Sequence, residues 1–237
     1  MSLPFKFKEF TVAHDRCAMK IGTDGVLLGA WVSLEHEPDF ILDLGTGTGL
    51  IALQLAQRST ANTIDAVEID ANAFEQCIEN FENSPWGDRL FCYHASAQEF
   101  AAEIDETYDL IISNPPFYQE DYKSKTEARD LARFNEALPF NQLIGCVHAL
   151  LADSGIFALI LPFKEELSFI KMASEAGLFP KRICRVRGTF SSKTVRSLVE
   201  FSFRRTTPNE EELVIENSRH DYTEEYVNLV QDFYLKM

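Results

Sequence analysis

Phe40-Ile41-Leu42-Asp43-Leu44-Gly45-Thr46-Gly47-Thr48-Gly49, followed by LIALQLAQR over 50–58, reads as a buried strand, a glycine turn and a helix. Glycines at alternate positions let the backbone turn tightly and lie close to a ligand. The helix behind them aims free N–H groups and its positive dipole end at that ligand. Dinucleotide sites carry GxGxxG at this place. Here the loop is GxGxG behind an acid, Asp43. An acid there repels a pyrophosphate and suits a ligand with an ammonium and no phosphate, such as the methionine half of S-adenosylmethionine. The same loop serves a bland alternative, a glycine turn needed only for packing.

Outward from the loop, strands and helices alternate. TIDAVEI (63–69) is a strand and ANAFEQCIENF (71–81) a helix; RLFCYHA (89–95) and YDLIIS (108–113) are strands. FNQLIGCVHALL (140–151) is a helix, GIFALILP (155–162) a strand, and KEELSFIKMASEAG (164–177) a helix closed by Gly177. FPKRICRVRG (179–188) and TVRSLVEFSFRR (194–205) are strands separated by a short turn and form an antiparallel hairpin. Before the loop, FKFKEF (5–10) alternates as a strand or extended arm, and VLLGAW (26–31) is a helix that Thr23 or Asp24 caps. This order predicts an α/β, Rossmann-like sheet of seven strands, mostly parallel, with an antiparallel last strand and helices on both faces. Residues 1–237 read as a single domain. Residues 1–35 are an N-terminal extension over the cofactor site, and 206–237 an acidic C-terminal tail.

Two acids follow the second strand of this core. Glu68, 25 residues after Asp43, suits the ribose hydroxyls of a nucleoside ligand. Asp70 suits the N-cap of the helix at 71–81.

Ser113-Asn114-Pro115-Pro116-Phe117 follows the fourth strand, at the carboxyl edge where ligands bind in such sheets. An exocyclic adenine amine is a poor nucleophile, because its lone pair is delocalised into the ring. Two acceptors aimed at its hydrogens hold the nitrogen towards tetrahedral geometry. Asn114 offers a side-chain carbonyl, and Pro115 a backbone carbonyl on a segment stiffened by two prolines. Phe117 offers a ring to stack on the base. The alternative is a rigid turn beneath a buried Phe.

The class I N6-adenine and N5-glutamine methyltransferases carry (D/N/S)PP(Y/F/W) after the fourth strand, and NPPF resembles it. Phe5-Lys6-Phe7-Lys8, Phe10-Thr11-Val12, His14-Asp15-Arg16-Cys17-Ala18-Met19-Lys20, Gly22-Thr23-Asp24-Gly25, Leu28-Gly29-Ala30-Trp31 and Ser84-Pro85-Trp86 are similar to the bacterial tRNA1(Val) (adenine(37)-N(6))-methyltransferase family. The resemblance covers about residues 5–117. It implies a class I methyltransferase sheet, S-adenosylmethionine as donor, and methylation of the adenine beside the anticodon. It implies catalytic roles for Asn114, Pro115 and Phe117. It also implies a cofactor site of Asp43, Gly45, Thr46, Gly47, Gly49, Glu68 and Asn114, with Lys20 and Thr23 folded over the methionine end.

One departure stands after the third strand. Many relatives place an Asp there against the cofactor adenine; this chain has Ser96, which either accepts the same bond or caps the next helix. His14 and His94 read as structural. Lys123, Lys125, Arg129 and Arg133 alternate with acids and form either a solvated loop or a lid that orders on RNA.

Composition bounds the rest. The net charge is −15, yet Lys181, Arg182, Arg185, Arg187, Lys193, Arg196, Arg204 and Arg205 crowd one strip with a single acid, Glu200. That strip reads either as the RNA phosphate contact, centred on Arg187, Lys193 and Arg196, or as strand residues covered by the acidic tail. Five scattered cysteines without a CxxC pair predict reduced thiols and no zinc site. Neither a secretory signal nor an apolar run of about 20 residues is seen, which predicts a cytoplasmic protein off the membrane. The expected partner is the anticodon arm of a tRNA; no target-recognition region for DNA is visible. The rival activities are N5-glutamine methylation of a release factor, whose family carries a helical N-terminal domain, and a non-catalytic cofactor-binding RNA-associated module.

Overall fold

A computed structural model describes residues 3–116 and 138–237. Phe117 and the segment 118–137, including the expected lid, lie outside the described residues.

The sheet grows from strands whose side chains are buried on both faces. β3 (Phe40–Leu44), β4 (Thr63–Glu68) and β6 (Tyr108–Ser113) bury nearly every residue. That is the pattern of parallel strands covered by helices. They stand between β5 (Leu90–His94) on one side and β7 (Leu151–Pro162) on the other, all parallel. β9 (Thr194–Ser202) runs antiparallel to both β7 and β8 (Phe179–Thr189). α1 (Thr23–Trp31), α2 (Leu50–Arg58), α3 (Ala71–Glu82), α4 (Ala97–Glu103), α5 (Phe140–Leu150) and α6 (Glu166–Glu175) cover the two faces. Two separate apolar clusters divide them. α1, α2 and α3 contribute Leu27, Leu53 and Phe81 to one; α4, α5 and α6 contribute Phe100, Val147 and Phe169 to the other.

The expected seven strands are present, but among the described residues the sheet has nine: β11 (Asp221–Tyr222) and β10 (Asn209–Ser218) extend it, in the order β11-β10-β8-β9-β7-β6-β3-β4-β5. The two extra strands come from the segment read as an acidic tail. β10 pairs parallel with β8, and β11 pairs with β10. The run Glu210-Glu211-Glu212 looks solvated in isolation. In the sheet, Arg185, Arg182 and Arg187 of β8 reach those three carboxylates in turn, at 2.7, 2.8 and 2.7 Å. Leu213 beside them is buried. The chain then forms α7 (Glu224–Val230), capped by Thr223.

The N-terminal arm is a two-stranded ribbon of β1 (Phe5–Lys6) and β2 (Thr11–Val12). It lies on this closing segment: Phe7 bridges to Tyr234, and the Lys8 ammonium donates to the Gln231 and Met237 carbonyls. Both ends of the chain are thereby fixed to the same flank. Among the described residues no helix is long and apolar enough to cross a membrane.

Candidate active site

The glycine loop has the backbone that its sequence demands. Gly45, Gly47 and Gly49 take φ of +73°, +58° and +80°, the left-handed region that other residues enter at a cost. The three differ in what surrounds them. A Cβ on Gly49 would stand 2.5 Å from the Phe81 ring and 2.9 Å from the Cys77 sulfur. At Gly45 and Gly47 a Cβ would meet nothing within 4 Å. Gly49 is therefore required by packing, whereas Gly45 and Gly47 border open space along the loop.

Two acids hold the loop. Asp43 is fully buried, and its Oδ2 accepts from the Thr46 hydroxyl at 2.6 Å. Its Oδ1 is buried without a partner among the described residues. Burial pushes the Asp43 carboxyl up to about 7, against the Thr46 hydroxyl bond, which favours the carboxylate. Glu68, at the end of β4, accepts from Gly47 N at 2.8 Å and from Asp70 N at 2.9 Å. Burial raises its pKa too. Asp70 caps α3 by accepting from Ala73 N, as its position predicts.

Asn114 is half-buried just past β6, and Pro115 behind it is buried. The adjoining Ser113 hydroxyl donates to the Leu44 carbonyl at 2.8 Å, which latches this motif to the strand feeding the glycine loop. Sequence reasoning passed over Gly25. A Cβ there would lie 3.1 Å from Leu50 Cδ2, in the first residue of α2, and 3.9 Å from the Asn114 amide nitrogen. The start of α1, the start of α2 and Asn114 therefore meet at one point, and a glycine allows it.

The extension at 13–22 is fastened to α3, and through Asn80 to the glycine loop. Asn80 of α3 accepts from Ala13 N and donates to the carbonyls of Ala13 and of Thr48 in the loop. Gln76 accepts from Arg16 N and donates to Asp15. Arg16 pairs with Glu79. Cys17 stands close enough to Glu68 and Asp70 that their charges, after burial itself, push its thiol up to about 12. Lys20 and Thr23 are exposed at the start of α1, whose N-cap is Gly22, not Thr23 or Asp24. Asp24 instead pairs with Arg196 of β9 at 2.8 Å. Asn80 also escaped sequence reading, although a polar residue three places after Cys77 and seven after Ala73, on the buried stripe of α3, is its signal.

Ser96 is an N-cap. It accepts from Glu99 N, and the Glu99 carboxylate accepts in turn from the Ser96 hydroxyl and backbone N–H, a complete capping box at the start of α4. Of the two roles the sequence allows Ser96, the helix cap is the one its hydrogen bonds fill. His94 stacks on Phe74 and meets the Ile69 carbonyl, a structural position.

Among the described residues, four of the eight basic residues of the strip are paired with acids: Arg182, Arg185, Arg187 and Arg196. Besides the pairs to β10, Arg185 meets the buried Glu166 at 2.7 Å, Arg182 stacks on Trp31, and Arg196 holds Asp24. The acidic segment covers Arg182, Arg185 and Arg187, as one of the two sequence readings expects, while Arg196 is held by Asp24 and Lys193 stays exposed. Among the described residues no group of three or more His, Cys, Asp or Glu is arranged to hold a metal.

These features fit a small cationic nucleoside. The loop is open at Gly45 and Gly47, a buried carboxylate oxygen lacks a partner, and a second acid ends the adjacent strand.

Comparison with known proteins places the chain among methyltransferases. Residues 25–137 match the Methyltransferase small domain family. A tRNA1(Val) (adenine(37)-N6)-methyltransferase of Christiangramia forsetii is 61% identical over 236 residues, covering 99% of this chain and 98% of that one. A protein of the same name from Bacteroides fragilis is 44% identical over the full length of both. Among solved structures, a "predicted O-methyltransferase" from Agrobacterium tumefaciens superposes with a TM-score of 0.68 at 19% identity, over 89% of this chain and 96% of that one, a likeness of fold alone.

Proposed function

The chain belongs to the tRNA1(Val) (adenine(37)-N6)-methyltransferase family, and from that premise we propose that it methylates the N6 amine of adenine 37, beside the anticodon of tRNA1(Val), in the cytoplasm. It is an S-adenosylmethionine-dependent methyltransferase acting on a tRNA adenine. The observation that carries the site assignment is the meeting of Asn114 with the first turns of α1 and α2.

When bound, S-adenosylmethionine supplies an electrophilic methyl group on a sulfonium centre. The loop Gly45–Gly49 and the helix start behind it border its methionine end, with Asp43 and Thr46 fixing the loop from beneath. Glu68 has lone pairs left for the ribose hydroxyls after serving Gly47 and Asp70. Lys20 and Thr23, exposed on the extension, would hold the methionine carboxylate. Asn114 Oδ1 and the Pro115 carbonyl would accept the two amine hydrogens of the target adenine, and Phe117, outside the described residues, would offer a ring to stack on the base. The residues thus orient the nitrogen lone pair and need no strong base, because in-line transfer depends mainly on positioning. The adenine must leave its stack to reach a site at the sheet edge, as in other enzymes that act on a base.

Transfer of labelled methyl from the cofactor into tRNA, DNA or a release factor, with and without RNase, tests this reading. RNase-sensitive label in tRNA alone is expected. Label in a glutamine of the release factor, or no transfer at all, overturns it.

A further inference from the structure

We propose that the tip of the β8–β9 hairpin, together with the turn that follows β7, is a stacking platform for the unpaired nucleotides beside the target adenine. This rests on the tRNA reading above and adds residues that it does not use. Four large apolar side chains are exposed there: Phe163 (41%), Leu167 (77%), Phe190 (65%) and Val195 (48%). They come from three separate segments. Pro162, at the carboxyl end of β7, pairs with Arg196 of β9, so Phe163 emerges beside Val195. Val195 shares the β9 face on which the Ser197 hydroxyl donates to Glu166 at the start of α6. Phe190 sits in the hairpin turn, where the Arg187 guanidinium donates to its carbonyl and Ser192 bonds Thr189.

Position ties the patch to the methyl-transfer site. Ser113 and Leu159 are register partners, so the Asn114 motif and the end of β7 open at the same sheet edge. Arg196 reaches from β9 to Asp24, and a Cβ on the next residue, Gly25, would lie 3.9 Å from the Asn114 amide nitrogen. An RNA that delivers a base to Asn114 therefore passes this edge. The neutralised arginines leave little charge there for phosphates. Lys193 and Lys164 are exposed within the patch, with Glu165 the neighbouring acid. Exposed rings with few cations match unpaired bases, whose faces stack on aromatic side chains whatever their sequence. The same shortage of cations suits a loop better than a duplex, whose binding needs many phosphate contacts.

The test uses the full chain and an anticodon stem-loop RNA. The Phe163→Ala/Phe190→Ala double variant should raise KM for tRNA about tenfold. Cofactor affinity, thermal midpoint and the log–log salt slope should not change, and Phe190→Trp should restore KM. Emission of that Trp should be quenched when the stem-loop binds. Wild-type KM in the double variant of an enzyme that methylates tRNA overturns this proposal alone. A wild-type chain that methylates no tRNA overturns both readings. A double variant that changes the oligomeric state but not KM makes the patch a contact between copies and also overturns the proposal.

Discussion

At the scale of single residues, the three loop glycines separate packing from binding. Gly49→Ala combines a φ of +80° with a collision against Phe81. It should cost about 2–5 kcal/mol of stability, from backbone strain plus overpacking. Gly45→Ala meets only the strain, about 1–2 kcal/mol, but puts a methyl at the open border of the loop. Thermal unfolding and calorimetry should find stability lost mainly in the first and cofactor affinity lost mainly in the second. Asn114→Ala should lower turnover by about 10²–10³ while leaving cofactor affinity nearly intact, since one oriented acceptor in the transition state is worth that much. Asp43 carries a pH signature. Its folded pKa, about 7, lies above its ordinary 3.8, so folding takes up a proton. That contribution is complete below about pH 4 and is lost as pH rises through about 7. Relative to Asp43→Asn, the ligand-free wild type should lose up to about 4 kcal/mol across that window, at 1.36 kcal/mol per unit. Denaturant titrations of both proteins check it, and a flat difference contradicts the buried carboxyl.

At the scale of elements, the core was legible wherever local pattern carried the signal. FILDL followed by a GxGxG loop, and YDLIIS running into NPPF, fixed two strands and their carboxyl ends from apolar runs and turn residues alone. β10 was illegible for a physical reason: its three glutamates are stabilised by arginines on a strand some 25 residues earlier, and local composition does not record that pairing. The role of Gly25 was missed similarly, because what crowds its missing side chain is Leu50 at the start of α2, a neighbour across the fold. Ending the chain after Thr207 should therefore do more than remove a solvated tail. It exposes β8 as an edge and removes the β10 carboxylates from three arginines, of which Arg187 loses its one acidic partner among the described residues, so the truncated protein should aggregate or unfold well below the full chain's midpoint. Chromatography and thermal scans would contradict this if they returned a soluble protein of unchanged midpoint. Ser96→Ala should cost about 0.5–2 kcal/mol through its cap and leave cofactor affinity unchanged.

At the scale of the whole molecule, the surplus of acids and the basic strip form one structural system. Arg185 holds the buried Glu166 and also Glu210. Arg185→Gln should lower stability by a few kcal/mol, because an unpaired carboxylate remains in the interior, while the salt slope of tRNA binding stays as it was. A slope reduced by about one unit would return the strip to the RNA interface. The central claim is chemical: this sheet edge places a methyl group on N6 of one adenine. The most direct measurement incubates the protein with S-adenosylmethionine and unmodified tRNA1(Val), digests the RNA, and maps the product by mass spectrometry. One N6-methyladenosine at position 37, absent when that adenine is replaced by guanine, is the result expected. A methyl group at another position or atom, or tRNA recovered without one, would contradict the account.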